Sequence, residues 1–562
     1  MASDSNVHPP RPPAASSKAT DKPDVARRDF LKVAGAGAGL LLLGGAGTAA
    51  AATPEVPGLV HKRRSPLFGG SSADVVVVGG GAWGGWTSLY LRQMGAKVTM
   101  VDAYGPGNAR STSGDESRGV RSSYGDRAES PELWMLWARE SMNRWKQFDA
   151  EWGRDLRLNL FHTTGDLILR PDWEPYLVKT KHWWDKHKIP YDVLNPDDVR
   201  KAFPVISMDD ITAVLYEPDA GVVRARRACQ TVAAVAEYKG VKIVIGRART
   251  SQISNGRLES IVLDTGQTIR GETFVFAPGP WLGKTFPELF ANKMRTPLGY
   301  VCYFGTPPSD ERFTYPNLPS FNFPGVTGWA ALPVDSRGFR VRGGERAPGA
   351  GQGGAGGGRG GRGAAAPQAS AAGARGAGGR GRGDAPGGRG GRGGRGAAAG
   401  QAVAGNGGRG GGGGGFGANA ATTPPAQLDP DTSDRWADAA RIEGPRRFVT
   451  HRFPLLKDAP ILQTHSCHYE LSASRNFIVD HHPALSNVLI AGGGNAEGFK
   501  FGPIMGEYIA QRALGDVGDP AVAKAFKIPE HDFEVPPPPA ADTTKRGRGA
   551  NATTSPAGGR GR

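Results

Sequence analysis

The chain has 562 residues, 85 of them glycine, and a formal net charge of +16. The length allows a sizeable core and more than one folding unit. The charge does not describe a basic folded surface. Ten arginines against one aspartate between Arg346 and Arg409, together with the tail from Ala541, carry +13 of it and leave +3 for the rest, which excludes a nucleic-acid-binding fold as the source of the basic balance.

From the N-terminus, Arg27-Arg28-Asp29-Phe30-Leu31-Lys32 precedes a weakly apolar Gly/Ala-rich run from Val33 to Ala52. This pattern reads as a twin-arginine export signal, with Ala50-Ala51-Ala52 as a small-residue cleavage site. A short membrane anchor is the alternative, for which the run has the length but too much glycine and alanine. Residues 1–52 are therefore assigned to the signal and 53–72 to a linker. The expected location is periplasmic or otherwise extracytoplasmic, reached through the twin-arginine machinery, a route that carries folded proteins with cofactor already bound.

Asp74-Val75-Val76-Val77-Val78 is a continuous apolar strand of the kind found at the centre of a parallel sheet. Gly79-Gly80-Gly81-Ala82-Trp83-Gly84 and a helical segment follow, then a strand from Lys97 that ends at Asp102. This is GxGxxG in its full context of strand before, helix after and acid about twenty residues on. Gly79 makes the turn, Gly81 admits a pyrophosphate and Gly84 lets helix pack on strand. The helix N-terminus faces the phosphates, and Asp102 is expected to accept from ribose hydroxyls. A glycine turn without a ligand is the bland alternative.

Cys229 lies in a helical pattern and Cys302 in a strand-like run, and both read as buried small hydrophobes. With Cys467 they make no disulfide framework. A strand pair over RLESIVLDTGQTIRG leads to a strand at Thr273–Phe276 that ends in Ala277-Pro278-Gly279-Pro280-Trp281. Residues 347–427 are almost wholly small, polar or arginine. They hold too little apolar surface to offset ordering entropy and are assigned as a disordered insert. Arg-Gly repeats bind single-stranded nucleic acid through charge and stacking, but the insert lacks interleaved aromatics and the chain reads as exported. The readings kept are a tolerated loop insertion and a contact with anionic envelope lipid.

Beyond the insert, Cys467 precedes a buried strand at Val488-Leu489-Ile490-Ala491, a glycine loop at Gly492-Gly493-Gly494, the run Gly498-Phe499-Lys500-Phe501 and a helix from about Pro503. Backbone can approach a cofactor closely at such a loop. Lys500 could hold an anionic substrate, and Cys467 the cofactor itself. Asp480-His481-His482-Pro483 reads as a turn, and no metal is expected. Residues 533–562 are assigned as a disordered tail.

The fingerprint with Asp102, the run Gly114-Asp115-Glu116-Ser117-Arg118-Gly119-Val120-Arg121, the Ala277–Trp281 turn and the block from Cys467 to Phe501 resemble the glycine/D-amino-acid oxidase superfamily of FAD-dependent oxidoreductases. Within it they are similar to the monomeric sarcosine oxidase and N-methyl amino acid oxidase group, over roughly Ala73–Arg346 and Leu428–Glu530. The resemblance implies an α/β flavoprotein of two domains. A Rossmann-like FAD-binding domain would be assembled from 73–160, 216–290 and 475–530. A substrate domain with a mixed or antiparallel sheet would come from 161–215, 291–346 and 428–474.

It further implies oxidation of the C–N bond of an amino acid or N-alkyl amino acid by hydride transfer to flavin N5, with hydrolysis of the imine. Arg121 and Lys500 would hold the substrate carboxylate, Arg118 would lie close to the flavin, and Cys467 would be thioether-linked to the flavin 8α-methyl. Gly79, Gly81, Gly84, Asp102, Ala277, Gly279, Trp281, Gly493, Gly494, Gly498, Phe499 and Lys500 complete the expected cofactor site. The physics agrees: a carboxylate desolvated beside an apolar ring needs paired cations. As the bland alternative, Arg118 and Arg121 pair with Asp115 and Glu116.

The chain also departs from the group. Gly114 stands where a histidine is common, Gly344 or a neighbour replaces another, and Arg340 stands where the group places its oxygen-activating lysine. Arginine is planar and bulkier than lysine, so that exchange is not conservative. The electron acceptor is accordingly read as oxygen or a quinone-type carrier, the latter making the chain an amine dehydrogenase. A reading from another class is a polyanion- or envelope-binding protein acting through the Arg-Gly insert.

Overall fold

The computed structural model describes residues 57–59, 74–153, 159–334, 337–345 and 427–533. The expected signal lies outside them. So do the linker except for 57–59, the insert except for residue 427, and the tail except for residue 533.

The valine run at Asp74–Val78 is buried on both faces because it occupies the middle of a sheet. It pairs in parallel with Lys97–Asp102 on one side and Thr273–Phe276 on the other. Lys242–Ile245 and Val488–Gly492 extend the parallel set outward, and Ile478–His481 closes one edge antiparallel. Val75 and Val77 pack in one cluster with Trp86, Leu89, Val232 and Ile509 of the helices Ala82–Gln93, Ala225–Tyr238 and Gly502–Ala513. Val76 and Val78 pack in another with Leu258, Ile261 and Phe286. A sheet covered on both faces has no reason to alternate polar and apolar residues, which explains the unbroken valines.

His481, expected in a turn, is the last residue of its strand, opposite Leu489; the edge pairing carries one residue further and the turn follows. The expected helix starts at Gly502, behind a 3-10 turn over Gly498–Phe501. Cys229 and Cys302 are buried among apolar side chains, which pushes their thiols up to about 12 and about 11.

A second sheet runs in the order Ile461–His468, Leu298–Phe304, Phe339–Arg342, Val326–Trp329, Ser320–Phe323, Asp166–Arg170, Ala213–Glu217, Asp192–Val193. Its neighbours are antiparallel except Ser320–Phe323 beside Asp166–Arg170. The period of two decides what each face carries. Phe339 and Val341 enter an aromatic core with Phe321, Phe448 and Phe453, covered by the helix Ala439–Arg452. Arg340 and Arg342 therefore point the other way and line a cavity. A small sheet of Arg118–Val120, Gly221–Val223 and Phe161–Thr163 brings the arginine run to the same cavity.

Two glycines fix the junction at the fingerprint. Gly79 has φ +110, and a Cβ there would lie 2.2 Å from the Ala277 carbonyl oxygen. A Cβ on Gly84 would lie 1.8 Å from the Gly79 carbonyl oxygen, so helix and strand end touch through backbone. Overpacking of this kind costs about 1–3 kcal/mol. Gly84→Ala is expected to lower the thermal midpoint clearly, whereas Gly283→Ala, with nothing within 4 Å, is expected to leave it nearly unchanged.

Candidate active site

A cavity of about 740 Å³ opens between the C-terminal ends of the parallel strands and the arginine-bearing face of the second sheet. At one end its wall is made by Gly79, Gly81, Asp102, Ala277, Gly279 and Trp281. Asp102 accepts from the backbone N–H of Gly80 (2.7 Å) and of Tyr104 (2.9 Å), and burial raises its pKa. The carboxylate thus braces the glycine loop and retains acceptor capacity toward the cavity. Ser113 Oγ accepts from Ala82 N–H at 3.1 Å, while the Gly81 N–H has no acceptor among the described residues. Together, an unclaimed N–H at a helix start, glycines whose Cβ has no room, and an acid at the next strand end fit a dinucleotide.

Asp431, from the segment after the insert, also reaches this end. It accepts from Trp281 Nε1 (2.8 Å), from both terminal nitrogens of Arg247 (2.9 Å each) and from Lys284 (2.6 Å). Those cations hold its carboxyl well below the usual range. No local pattern in the sequence marks Asp431, because its partners lie more than a hundred residues away.

The other end of the cavity is built from Arg118, Arg121, Trp329, Arg340, Arg342, Glu497, Phe499 and Lys500. The backbone that carries Lys500 is pinned: Trp83 Nε1 donates to the Gly498 carbonyl (2.8 Å) and Trp145 Nε1 to the Lys500 carbonyl (3.0 Å), with Phe499 stacked on Trp145. The lysine Nζ pairs with Glu497. Burial depresses Lys500 to about 8 despite that partner.

Buried carboxylates answer the other cations. Asp115, fully buried, accepts from Arg118, from Arg340 Nη2 (3.0 Å) and from the Tyr303 hydroxyl (2.7 Å). Burial alone would raise it, but Arg118 and Arg340 hold it well below the usual range. Arg340 also stacks on Trp329, its guanidinium carbon 4.0 Å from the ring centroid, and its buried Nε has no hydrogen-bond partner among the described residues. Arg121 Nε lies 3.9 Å from Asp166. The bland pairing expected of the arginine run is therefore half corrected: Arg118 takes Asp115, but Arg121 turns to Asp166 and Glu116 faces Arg337. The strand starts only at Arg118, and Glu116 precedes it in the bend after the 3-10 turn Thr112–Gly114, so Glu116 and Arg121 do not share one run.

Of the expected site residues, Gly79, Gly81, Asp102, Arg118, Arg121, Ala277, Gly279, Trp281, Arg340, Gly494, Gly498, Phe499 and Lys500 lie on the cavity wall. Gly84, Gly493 and Cys467 do not. Gly84 packs behind the loop, and the Gly493 N–H donates to Glu470 at 3.3 Å. Cys467 sits one side chain back, its Sγ accepting from Arg118 Nη2 at 3.4 Å. Trp329, Glu470 and Glu497 were not expected, and Asp115 was expected only as an ion-pair partner of the arginine run. Gly114 and Gly344 cannot carry the missing histidines, since a Cβ would meet the Asn108 carbonyl oxygen at 1.9 Å and the Gly444 backbone at 2.2 Å. His465 instead sits close enough to Asp115 to feel its charge, and burial lowers it to about 4.

A family model described as DAO, FAD dependent oxidoreductase, matches residues 74–375. Monomeric sarcosine oxidase of Bacillus sp. (strain B-0618) is 26% identical over 255 residues, which cover 45% of this chain and 61% of that protein. N-methyl-L-tryptophan oxidase of Yersinia pestis (strain Pestoides F) is 25% identical over 222 residues, 40% of this chain and 57% of that protein. The matches thus span about three-fifths of the length of these curated relatives. Among solved structures, fructosamine oxidase (Amadoriase II) from Aspergillus fumigatus shares the fold at TM-score 0.58 and 18% identity, covering 81% of this chain and 89% of that one. Glycine oxidase from Bacillus cereus ATCC 14579 does so at TM-score 0.55 and 15% identity, covering 82% and 100%.

Glu470, on the cavity wall, offers a test of the local electrostatics. Burial raises it from 4.5 to about 7, although Gly493 and Gly494 donate to it. A carboxyl whose folded pKa is raised contributes stability below its unfolded value and loses it as pH rises through the folded one. Stability should therefore fall between about pH 4.5 and 7 through this group. Thermal melts are expected to show Glu470→Gln gaining on the wild type as pH rises across that window.

Proposed function

The chain belongs to the DAO family of FAD-dependent oxidoreductases, and on that premise we propose that it oxidises the C–N bond of an amino acid or N-alkyl amino acid. The observation that carries the reading is the placement of Arg121 and Lys500, far apart in sequence, on one wall of one cavity. Both are largely buried, at 15% and 5% side-chain exposure. Each already has a protein carboxylate beside it, but Asp166 stands 3.9 Å from Arg121 and leaves that guanidinium with donors to offer a further anion, for which a substrate carboxylate fits. The names of the relatives, sarcosine oxidase and N-methyl-L-tryptophan oxidase, support an N-alkyl amino acid as the substrate class.

Bound FAD supplies a two-electron acceptor for hydride leaving the carbon next to nitrogen. The chain's own residues do the rest. Gly79, Gly81 and Asp102 hold the nucleotide part. Arg121 and Lys500 fix the carboxylate and so orient the reacting C–H, which turns an encounter into a positioned reaction. Trp329 and Phe499 line the cavity beside them and give it an apolar wall. Cys467, held by Arg118, is the proposed point of covalent attachment. Flavin should then stay with the protein through acid precipitation and be released from Cys467→Ser.

A quinone-type or other acceptor in place of oxygen is the second reading. It is favoured by Arg340, whose charge is committed to Asp115 and whose plane is stacked on Trp329. Export by the twin-arginine route, placing the reaction outside the cytoplasm, is part of the proposal and rests on the Arg27-Arg28 motif. A contact of the basic insert with anionic lipid rests on its composition.

Lys500→Met tests the carboxylate anchor. It is expected to raise KM for a carboxylate substrate about tenfold or more and to leave KM for the decarboxylated amine unchanged. Equal effects on both substrates would count against the assignment. The protonated lysine is the binding form, and its pKa lies near 8. The advantage of wild type over Lys500→Met in kcat/KM should therefore shrink as pH rises through about 8.

A further inference from the structure

Glu497 and Lys500 both line the cavity and pair with each other, yet the two side chains are not equally open. Lys500 is 5% exposed and Glu497 19%. Among the described residues Lys500 is the only hydrogen-bond partner of the Glu497 carboxylate and takes Oε2, so Oε1 is left without one. The end of this ion pair that a ligand meets is thus the anion.

Burial alone would raise the pKa of Glu497, but Lys500 and Arg121 bring it down to about 2. It is a carboxylate at neutral pH. Around the substrate end of the cavity, Arg121 is answered by Asp166 and Lys500 by Glu497. A simple carboxylate entering here would gain Arg121 but also approach an open negative oxygen. A molecule with a carboxylate and a cationic nitrogen a bond or two apart brings both of the charges this wall is arranged to receive.

We propose that Glu497 is the cation-reading arm of the substrate site, selecting carboxylates that carry a positively charged nitrogen over carboxylates of the same shape that do not. This rests on the carboxylate-anchoring reading above and adds to it a residue that sets the charge class of the ligand. Glu497 also shares Lys500 with the ligand's carboxylate, which Arg121 and Lys500 hold together while Glu497 faces the nitrogen.

Two ligands of nearly identical shape isolate the effect. Trimethylglycine and 3,3-dimethylbutanoate differ in one atom, a quaternary nitrogen against a quaternary carbon, and the quaternary nitrogen has no lone pair to support oxidation. Binding of each to the flavin-loaded protein is measured by calorimetry. Wild type should bind trimethylglycine about tenfold more tightly than its neutral counterpart. Glu497→Gln should erase that preference and, by releasing Lys500, tighten 3,3-dimethylbutanoate several-fold.

Equal affinity for the two ligands in wild type overturns the proposal without needing any variant. A preference that survives Glu497→Gln also overturns it and assigns cation recognition to the aromatic rings of the cavity wall, Trp329 and Phe499. Binding of neither ligand contradicts the carboxylate anchor itself, and Glu497 falls with it. Binding of both without discrimination contradicts Glu497 alone.

Discussion

Positive charge gathered inside one end of a cavity has to be balanced within the protein, and the rest of the site depends on how this is done. Arg118, Arg121, Arg340 and Lys500 are all largely removed from water. Each has a carboxylate partner: Asp115 for Arg118 and Arg340, Asp166 for Arg121, Glu497 for Lys500. Removing one partner of such a pair leaves an uncompensated charge and costs about 3–5 kcal/mol. Asp115 is the most connected of them. It joins the arginine run to Tyr303 and Arg340 on adjacent strands of the second sheet, so the same contacts that neutralise charge also hold that run against the second sheet beside the cavity.

This balance separates two kinds of arginine. Arg118 and Arg340 are spent on Asp115 and serve the shape of the site and the surroundings of Cys467. Arg121 is held more loosely, at 3.9 Å from Asp166, and keeps a guanidinium to offer a ligand. Lys500 stands between these cases, paired with a carboxylate that itself faces the cavity. Membership in a family of FAD-dependent oxidoreductases accounts for the nucleotide half of the cavity. The chemistry at the other half follows from which of these charges remains available.

The nucleotide half was legible because its signals are local. A strand, three glycines and a helix succeed one another within twenty residues, and sterics at Gly79 and Gly84 admit few other arrangements. Lys500 and Phe499 were legible for the same reason, as neighbours of a glycine loop. The partners were not. Asp115 stood in plain view beside Arg118, but its second cation arrives from strand Phe339–Arg342 through sheet register. Asp166 and Trp329 are likewise brought by the second sheet, whose order no local pattern encodes. Glu497 lay within the very motif that marked Lys500; what concealed it was reading the lysine as a free cation. Asp431 follows a long low-complexity stretch, and only the folded chain sets it against Trp281 and Arg247.

The central claim is that this cavity presents a carboxylate-bearing amine to FAD. It is tested most directly by following flavin absorbance under anaerobic conditions while amino acids, N-methyl amino acids and their decarboxylated amines are added to the flavin-loaded protein. The account requires bleaching by at least one carboxylate-bearing amine and little or none by the matching amine without the carboxylate. Flavin that stays oxidised with every carboxylate-bearing amine, or that is reduced equally well by the decarboxylated forms, would contradict it.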